Sequence, residues 1–291
     1  MVMFEINVTQ DCPFTCPNCI RSDLKPPEDI FKAYIKKLVA VKTDMYLWLT
    51  GGEPMLYPDR VEEYLDISPA CSMVTTGLVN INELIRLLKK YPQFRCNISV
   101  SGLDEYETTI RGVGCRGKDV ASLRDNLVSL SEFGKRIHIV SVVYKGALET
   151  GEVFKNLEYV YTKYSMFERS VLWDRFADFT VSDITRIRDF LVNIKKEPIS
   201  CFSKRTLCPA IFVDGKFFRI YEKKSPSFIE IEKCLDDPLG IIASASTLHN
   251  IGTINTQQGC DVYKYYPGCG GPECRFGYVP DCKRYWSQFI V

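Results

Sequence analysis

Six strand-like runs alternate with six stretches of helical period through about the first 195 residues, and this alternation constrains the fold most. Apolar, β-branched runs occupy residues 3–9, 46–50, 71–75, 97–101, 137–143 and 170–173. Helix-period stretches occupy 27–41, 58–65, 81–91, 118–133, 150–164 and 181–194. Asn80 before Ile81, Ser182 with Asp183, and Gly134 after Phe133 act as start and stop signals. Repeated β-α units imply a parallel sheet covered by helices. Six units are too few for a closed eight-fold barrel, so the expected fold is α/β, an open partial (β/α)6 barrel of the TIM type. In such sheets the chemistry sits at the C-terminal ends of the strands.

After Lys196-Glu197-Pro198 the alternation stops. Gly, Pro, Cys and Tyr increase, and seven of the thirteen cysteines lie between Cys201 and Cys282. Residues 1–197 are therefore expected to form the barrel and 198–291 a small loop-rich domain. A domain of that size gains from a metal cluster, because its core alone buries little. An odd cysteine count, in a chain without a basic-then-apolar leader pattern, points to metal rather than disulfides. Only two histidines occur, His138 and His249, so sulfur is the main metal ligand. The net charge of +1 gives no pull toward nucleic acid or membrane. No apolar run reaches the roughly 18 residues of a membrane span. A cytoplasmic location is expected.

Directly after the first strand comes Cys12-x3-Cys16-x2-Cys19, three thiols within eight residues and no fourth nearby. Three thiolates can hold three irons of a [4Fe–4S] cube and leave the fourth open for a ligand. A structural site would normally supply a complete set. Taken alone, the spacing also allows zinc or a chance cluster.

With further motifs the chain resembles the radical S-adenosylmethionine (SAM) enzymes. Thr50-Gly51-Gly52-Glu53-Pro54 follows the second strand, as the family's GGE run does. Two glycines let backbone approach a ligand closely, and a neighbouring carboxylate can take an ammonium. The resemblance implies that Gly51, Gly52 and Glu53 hold the SAM amino group. Thr75-Thr76-Gly77 is similar to the family's TNG run, and Ser99-Val100-Ser101-Gly102 to its S-x-D-G run. Thr76 and Ser99 thus join the cofactor-binding candidates. Arg111, in Ile110-Arg111-Gly112, is the implied partner of the SAM carboxylate. Two positions depart from the pattern: Asn18 replaces an aromatic residue expected near the adenine, where Phe14 could substitute, and Ser101 replaces an aspartate. The implied cofactors are a [4Fe–4S] cluster held by Cys12, Cys16 and Cys19, and SAM. Reductive SAM cleavage would give a 5′-deoxyadenosyl radical that takes hydrogen from the substrate.

The C-terminal cysteines resemble the SPASM domain of peptide-modifying relatives, which carries auxiliary [4Fe–4S] clusters. Cys208, followed by an I-x-x-D-G strand-turn ending at Gly215, is similar to its opening. The segment from Cys260 through Cys269 and Cys274 to Cys282 is similar to its core, with Tyr263 and Ile220 where cysteines should stand. This implies Cys201, Cys208 and Cys274 for a nearer cluster, and Cys260, Cys269 and Cys282 for a farther one. Cys234 could complete either. One complete cluster, two incomplete ones and a structural zinc all remain open.

Other features read as packing. Cys71 and Cys96 begin strands and are expected in the core. Cys115 reads as a free loop thiol, and His138 as structural. Asp174, at the end of the sixth strand, is a weak candidate for a base or substrate anchor. Modification of a residue in a ribosomally made peptide or protein is the leading function. The alternatives are a dehydrogenase of a sugar or aminocyclitol, and a non-catalytic iron–sulfur or zinc protein. The first strand begins at about residue 3, so a separate leader-binding protein is expected. A flavodoxin or ferredoxin-type reductant is the other expected partner.

Overall fold

Strand β1 (Val2–Thr9) is buried along almost its whole length, as a central strand of a parallel sheet must be. The computed structural model describes residues 2–16, 19, 24–112, 117–173, 181–195, 210–221 and 226–243. After β1 come α1 (Asp29–Ala40), β2 (Met45–Gly51), α2 (Pro58–Ile67), β3 (Cys71–Thr75) and α3 (Ile81–Lys90). Next are β4 (Phe94–Ser99), α4 (Asp104–Arg111), α5 (Gly117–Leu130), β5 (Ile137–Val143), α6 (Lys145–Glu149) and α7 (Glu152–Lys163). The described chain continues through β6 (Glu168–Trp173), α8 (Val181–Lys195), β7 (Ala210–Asp214), β8 (Phe217–Tyr221) and β9 (Pro226–Glu230).

The strands form one sheet in the order β6-β5-β4-β3-β2-β1-β7-β8-β9. β1 to β6 are parallel, and each lies beside its predecessor in the chain. This single-direction winding belongs to a barrel wall rather than a doubly wound sheet. Its first strand pairs with β7 instead of β6, so the wall is open. The result is a mixed α/β fold of the partial-barrel kind.

Side-chain alternation divides the two faces. Val2, Phe4, Ile6 and Val8 share a core with Leu47, Leu49, Met73 and Ile98, and with Phe31, Tyr34, Leu84 and Leu157 from the helices. Cys71 and Cys96 lie fully buried in that core, as expected. The opposite face mixes polar side chains with apolar ones such as Met3 and Trp48. There Asn97 Nδ2 lies 3.5 Å from Ser72 Oγ and 3.3 Å from the Met73 carbonyl, and Asn97 Oδ1 is 3.0 Å from His138 Nδ1. His138 is therefore part of a cross-strand polar chain.

Several local readings change; α4 was not expected, and α5 ends at Leu130 rather than at the expected stop before Gly134. β4 starts at Phe94 and stops at Ser99 rather than spanning 97–101, because the N–H groups of Ser101 and Gly102 turn to the Glu107 carboxylate. Asn80 precedes α3 but does not cap it. Its backbone is left-handed, with φ 46°, and its Nδ2 donates to the Met55 carbonyl at 2.7 Å.

β7 continues the wall in parallel, and β8 and β9 add to it antiparallel. The strand-turn expected at Asp214-Gly215 joins β7 to β8. Phe218 anchors this extension. Its ring lies 4.8 Å from Tyr34, 5.9 Å from Phe4 and 6.2 Å from Phe31, centroid to centroid. A Phe218→Ala variant should lose about 3–5 kcal/mol of stability, read as a lower urea midpoint with an unchanged slope. An unchanged midpoint would show that the extension is not welded to the barrel core.

Candidate active site

The loop with Cys12, Cys16 and Cys19 leaves β1 at Thr9 and is pinned on both arms. On the near arm Gly52 N–H donates to the Thr9 carbonyl and Glu53 N–H to the Asp11 carbonyl, each at 2.8 Å. This approach leaves no room for side chains. A Cβ on Gly51, whose φ is +123°, would lie 2.2 Å from the Thr9 oxygen, and one on Gly52 would lie 2.0 Å from the Asp11 oxygen. The sequence reading gave these glycines to a ligand. In the structure the close approach they permit is to the root of the cysteine loop. Tyr57 adds a hydroxyl bond to Asp11 Oδ2 at 2.5 Å.

On the far arm, Asn7 Nδ2 and Gln10 Nε2 both donate to the Leu24 carbonyl, at 2.7 and 3.0 Å. Lys25 N–H donates to Asp214 Oδ1 at 3.0 Å, and Gly215 N–H to the Lys25 carbonyl at 3.2 Å. The β7–β8 turn thus buttresses the loop. Sequence reasoning had singled out Asp214-Gly215 only as a turn.

Glu53 is fully buried. Its Oε1 accepts Met55 N–H at 3.0 Å and Thr75 Oγ1–H at 2.6 Å. Its Oε2 accepts Thr76 N–H at 2.7 Å and Thr76 Oγ1–H at 2.6 Å. A buried carboxylate is costly unless satisfied, and here its roughly four acceptor positions are all filled by the chain. Glu53 therefore locks the β2 turn to the β3 turn. The β3 turn is held again by Asn126 Nδ2, which donates to the Gly77 carbonyl at 2.8 Å.

Behind β4, Arg111 is buried. Its Nε donates to Glu107 Oε2 at 3.1 Å and its Nη2 to the Ser99 carbonyl. Its Cζ is 5.9 Å from the centre of the Phe14 ring, and Thr15 forms a parallel bridge with Gly112. The cysteine loop thus sits against the end of α4. Sequence reasoning missed Glu107, although its i,i+4 spacing from Arg111 was a usable signal.

Cys12 and Cys16 are half-buried and Cys19 is exposed. Cys19 N–H closes a turn on the Cys16 carbonyl at 3.1 Å. Burial raises the Cys16 thiol above its ordinary range, the Arg111 charge pulls it down, and Cys19 and Cys12 push it up. The three sulfurs and Arg111 thus share one electrostatic neighbourhood. Among the described residues no three Cys, His, Asp or Glu side chains gather closely enough to grip a single ion. A cube with iron at separate corners needs a wider set, and three cysteines on one pinned loop are the donor type it takes.

Cys234 lies in the core, with Sγ 3.5 Å from the Glu230 carbonyl. Asn18, Cys115, Asp174, Cys201, Cys208, His249, Cys260, Cys269, Cys274 and Cys282 lie outside the described residues.

The family model described as the radical SAM superfamily matches residues 6–151, half of the chain. The chain belongs to the radical SAM superfamily. It is accordingly an enzyme of the class that uses a [4Fe–4S] cluster and SAM. Among solved structures it is similar to native anSMEcpe with bound AdoMet, at TM-score 0.65 and 13% identity, covering 99% of this chain and 96% of that one. It is also similar to Streptococcus suis SuiB bound to S-adenosylmethionine, at TM-score 0.52 and 15% identity, covering 73% of this chain. That match spans 47% of SuiB, about half its length. At such identities the likeness shows the fold. No curated protein matches by sequence. Among the described residues no helix is long and apolar enough to cross a membrane.

Glu53→Gln tests the lock. Whichever way its amide turns, the NH2 group faces a main-chain N–H, that of Met55 or that of Thr76. The variant should lose about 2–3 kcal/mol and retain less iron after reconstitution. Wild-type stability and iron content in this variant would contradict the assignment.

Proposed function

We propose that this radical SAM enzyme modifies a residue of a ribosomally made peptide or protein. The supporting observation is fold likeness over nearly the whole chain to anSMEcpe, which was also solved with AdoMet and the Cp18Cys peptide, at TM-score 0.59. SuiB, solved with its precursor peptide SuiA, adds support at TM-score 0.51. In this reading Cys12, Cys16 and Cys19 hold the cluster and leave one iron for SAM. When bound, the cluster and SAM supply radical hydrogen abstraction through reductive cleavage of the sulfonium. The chain's own part is placement. Gly51 and Gly52 set the loop against the β2 turn, whose backbone takes the ammonium. Thr76 and Ser99 border the cofactor, and Arg111 takes the SAM carboxylate.

The cysteine-rich stretch 198–291 is the SPASM-like part in this proposal. It carries at least one auxiliary [4Fe–4S] cluster, with ligands drawn from Cys201, Cys208, Cys260, Cys269, Cys274 and Cys282. Cys234, packed in the core, serves there as a small apolar residue. A flavodoxin or ferredoxin-type protein supplies electrons, and a separate protein presents the leader.

Anaerobic reconstitution gives the test. With dithionite and SAM the wild type should form 5′-deoxyadenosine. The Cys12→Ala/Cys16→Ala/Cys19→Ala variant should form none, yet keep about four irons per chain from an auxiliary cluster. Precursor peptides encoded beside the gene should change mass in the presence of the wild type. Turnover of a sugar or aminocyclitol, with every peptide unchanged, would overturn the peptide reading.

A further inference from the structure

Ser101 stands in the turn after β4, where the resemblance implies an aspartate. The structure supplies a carboxylate to the same turn from a different element. Glu107, on α4, is buried. Its Oε1 accepts the main-chain N–H groups of Ser101 and Gly102, the latter at 2.9 Å. Its Oε2 accepts Arg111 Nε at 3.1 Å. Arg111 Nη2 returns to the Ser99 carbonyl, which closes the circuit. Just beyond, Leu103 N–H donates to Asn156 Oδ1 at 2.8 Å, so α7 holds the turn from its other side.

We propose that Glu107 is the positioning residue for the SAM carboxylate. From α4 it brings a carboxylate to the turn where Ser101 stands, and it fixes how Arg111 presents its remaining donors. The inference rests on the radical SAM reading of the site. A guanidinium has five N–H donors and stays charged. Among the described residues, Glu107 and the Ser99 carbonyl engage two of Arg111's donors. Without Glu107, Arg111 would be a buried cation lacking its counter-charge, and such a cation reorients toward water or another anion. Its neighbours on the other side are the Phe14 ring and, through Gly112, Thr15, both in the cysteine loop. Glu107 therefore connects the orientation of Arg111 with the β4 turn. The Glu-then-Arg order at i,i+4 is the favourable one on a helix.

Glu107→Gln keeps the side chain's size and removes its charge. Its amide cannot accept from both the turn and Arg111 as the two carboxylate oxygens do. In 5′-deoxyadenosine formation the KM for SAM should rise about 10- to 100-fold, with kcat at saturating SAM within about threefold. Iron content, and the spectrum of the reduced cluster without SAM, should match the wild type. A wild-type KM overturns the proposal. So does an equal KM rise when Glu107→Gln is placed on an Arg111→Lys background, because a residue that acts through Arg111 cannot be additive with it. Should Glu107→Gln fail to fold, Glu107→Asp retains the charge but shortens the reach. It should raise the KM for SAM about tenfold, and no rise overturns the proposal. A wild-type enzyme that forms no 5′-deoxyadenosine refutes the radical SAM reading itself, an outcome separate from any of these.

Discussion

The arrangement of this site depends on one buried carboxylate. Glu53 accepts four hydrogen bonds from Met55, Thr75 and Thr76, while its own N–H and that of Gly52 reach back to Asp11 and Thr9. The ends of β1, β2 and β3 are thereby tied at one point. An anion in such a place needs a full set of donors, and meeting that need forces the turns into register. The Gly51-Gly52 pair is the steric counterpart. Any side chain there would push the cysteine loop off the sheet edge.

A second anion repeats the device one strand further along. Glu107 ties the β4 turn to Arg111, and Arg111 with Gly112 meets Phe14 and Thr15 of the cysteine loop. The loop is thus braced by β2 on one side and α4 on the other. The Asp214-Gly215 turn of the C-terminal extension braces its far arm. Residues distant in sequence therefore converge on one short loop, as a site that must hold a large inorganic group demands.

Much of the wall was legible in the sequence. β3 and β5 fall where their sequence runs begin and end; β3 is buried almost throughout, and β5 alternates buried with half-buried residues. α4 was not legible. Its sequence, Asp-Glu-Tyr-Glu-Thr-Thr-Ile-Arg, carries too few apolar residues for a stripe, and a buried ion pair takes the place of one. The limits of β4 were missed for a related reason, since Glu107, six residues beyond Ser101, takes the N–H groups of the turn that follows the strand. Motif logic located Glu53 but not its contacts, because three of its four donors come from the Thr75-Thr76 turn, which only the folded sheet brings near. Asp214 was visible as a turn residue, yet its bond to Lys25 spans most of the chain.

The central claim is that these braced loops make one site for a [4Fe–4S] cluster and SAM. Electron paramagnetic resonance of the dithionite-reduced, reconstituted protein tests it most directly. The account predicts a cluster signal whose g values shift when SAM is added, and a triple variant of Cys12, Cys16 and Cys19 in which no signal responds to SAM. A wild-type signal that SAM leaves unchanged would contradict it.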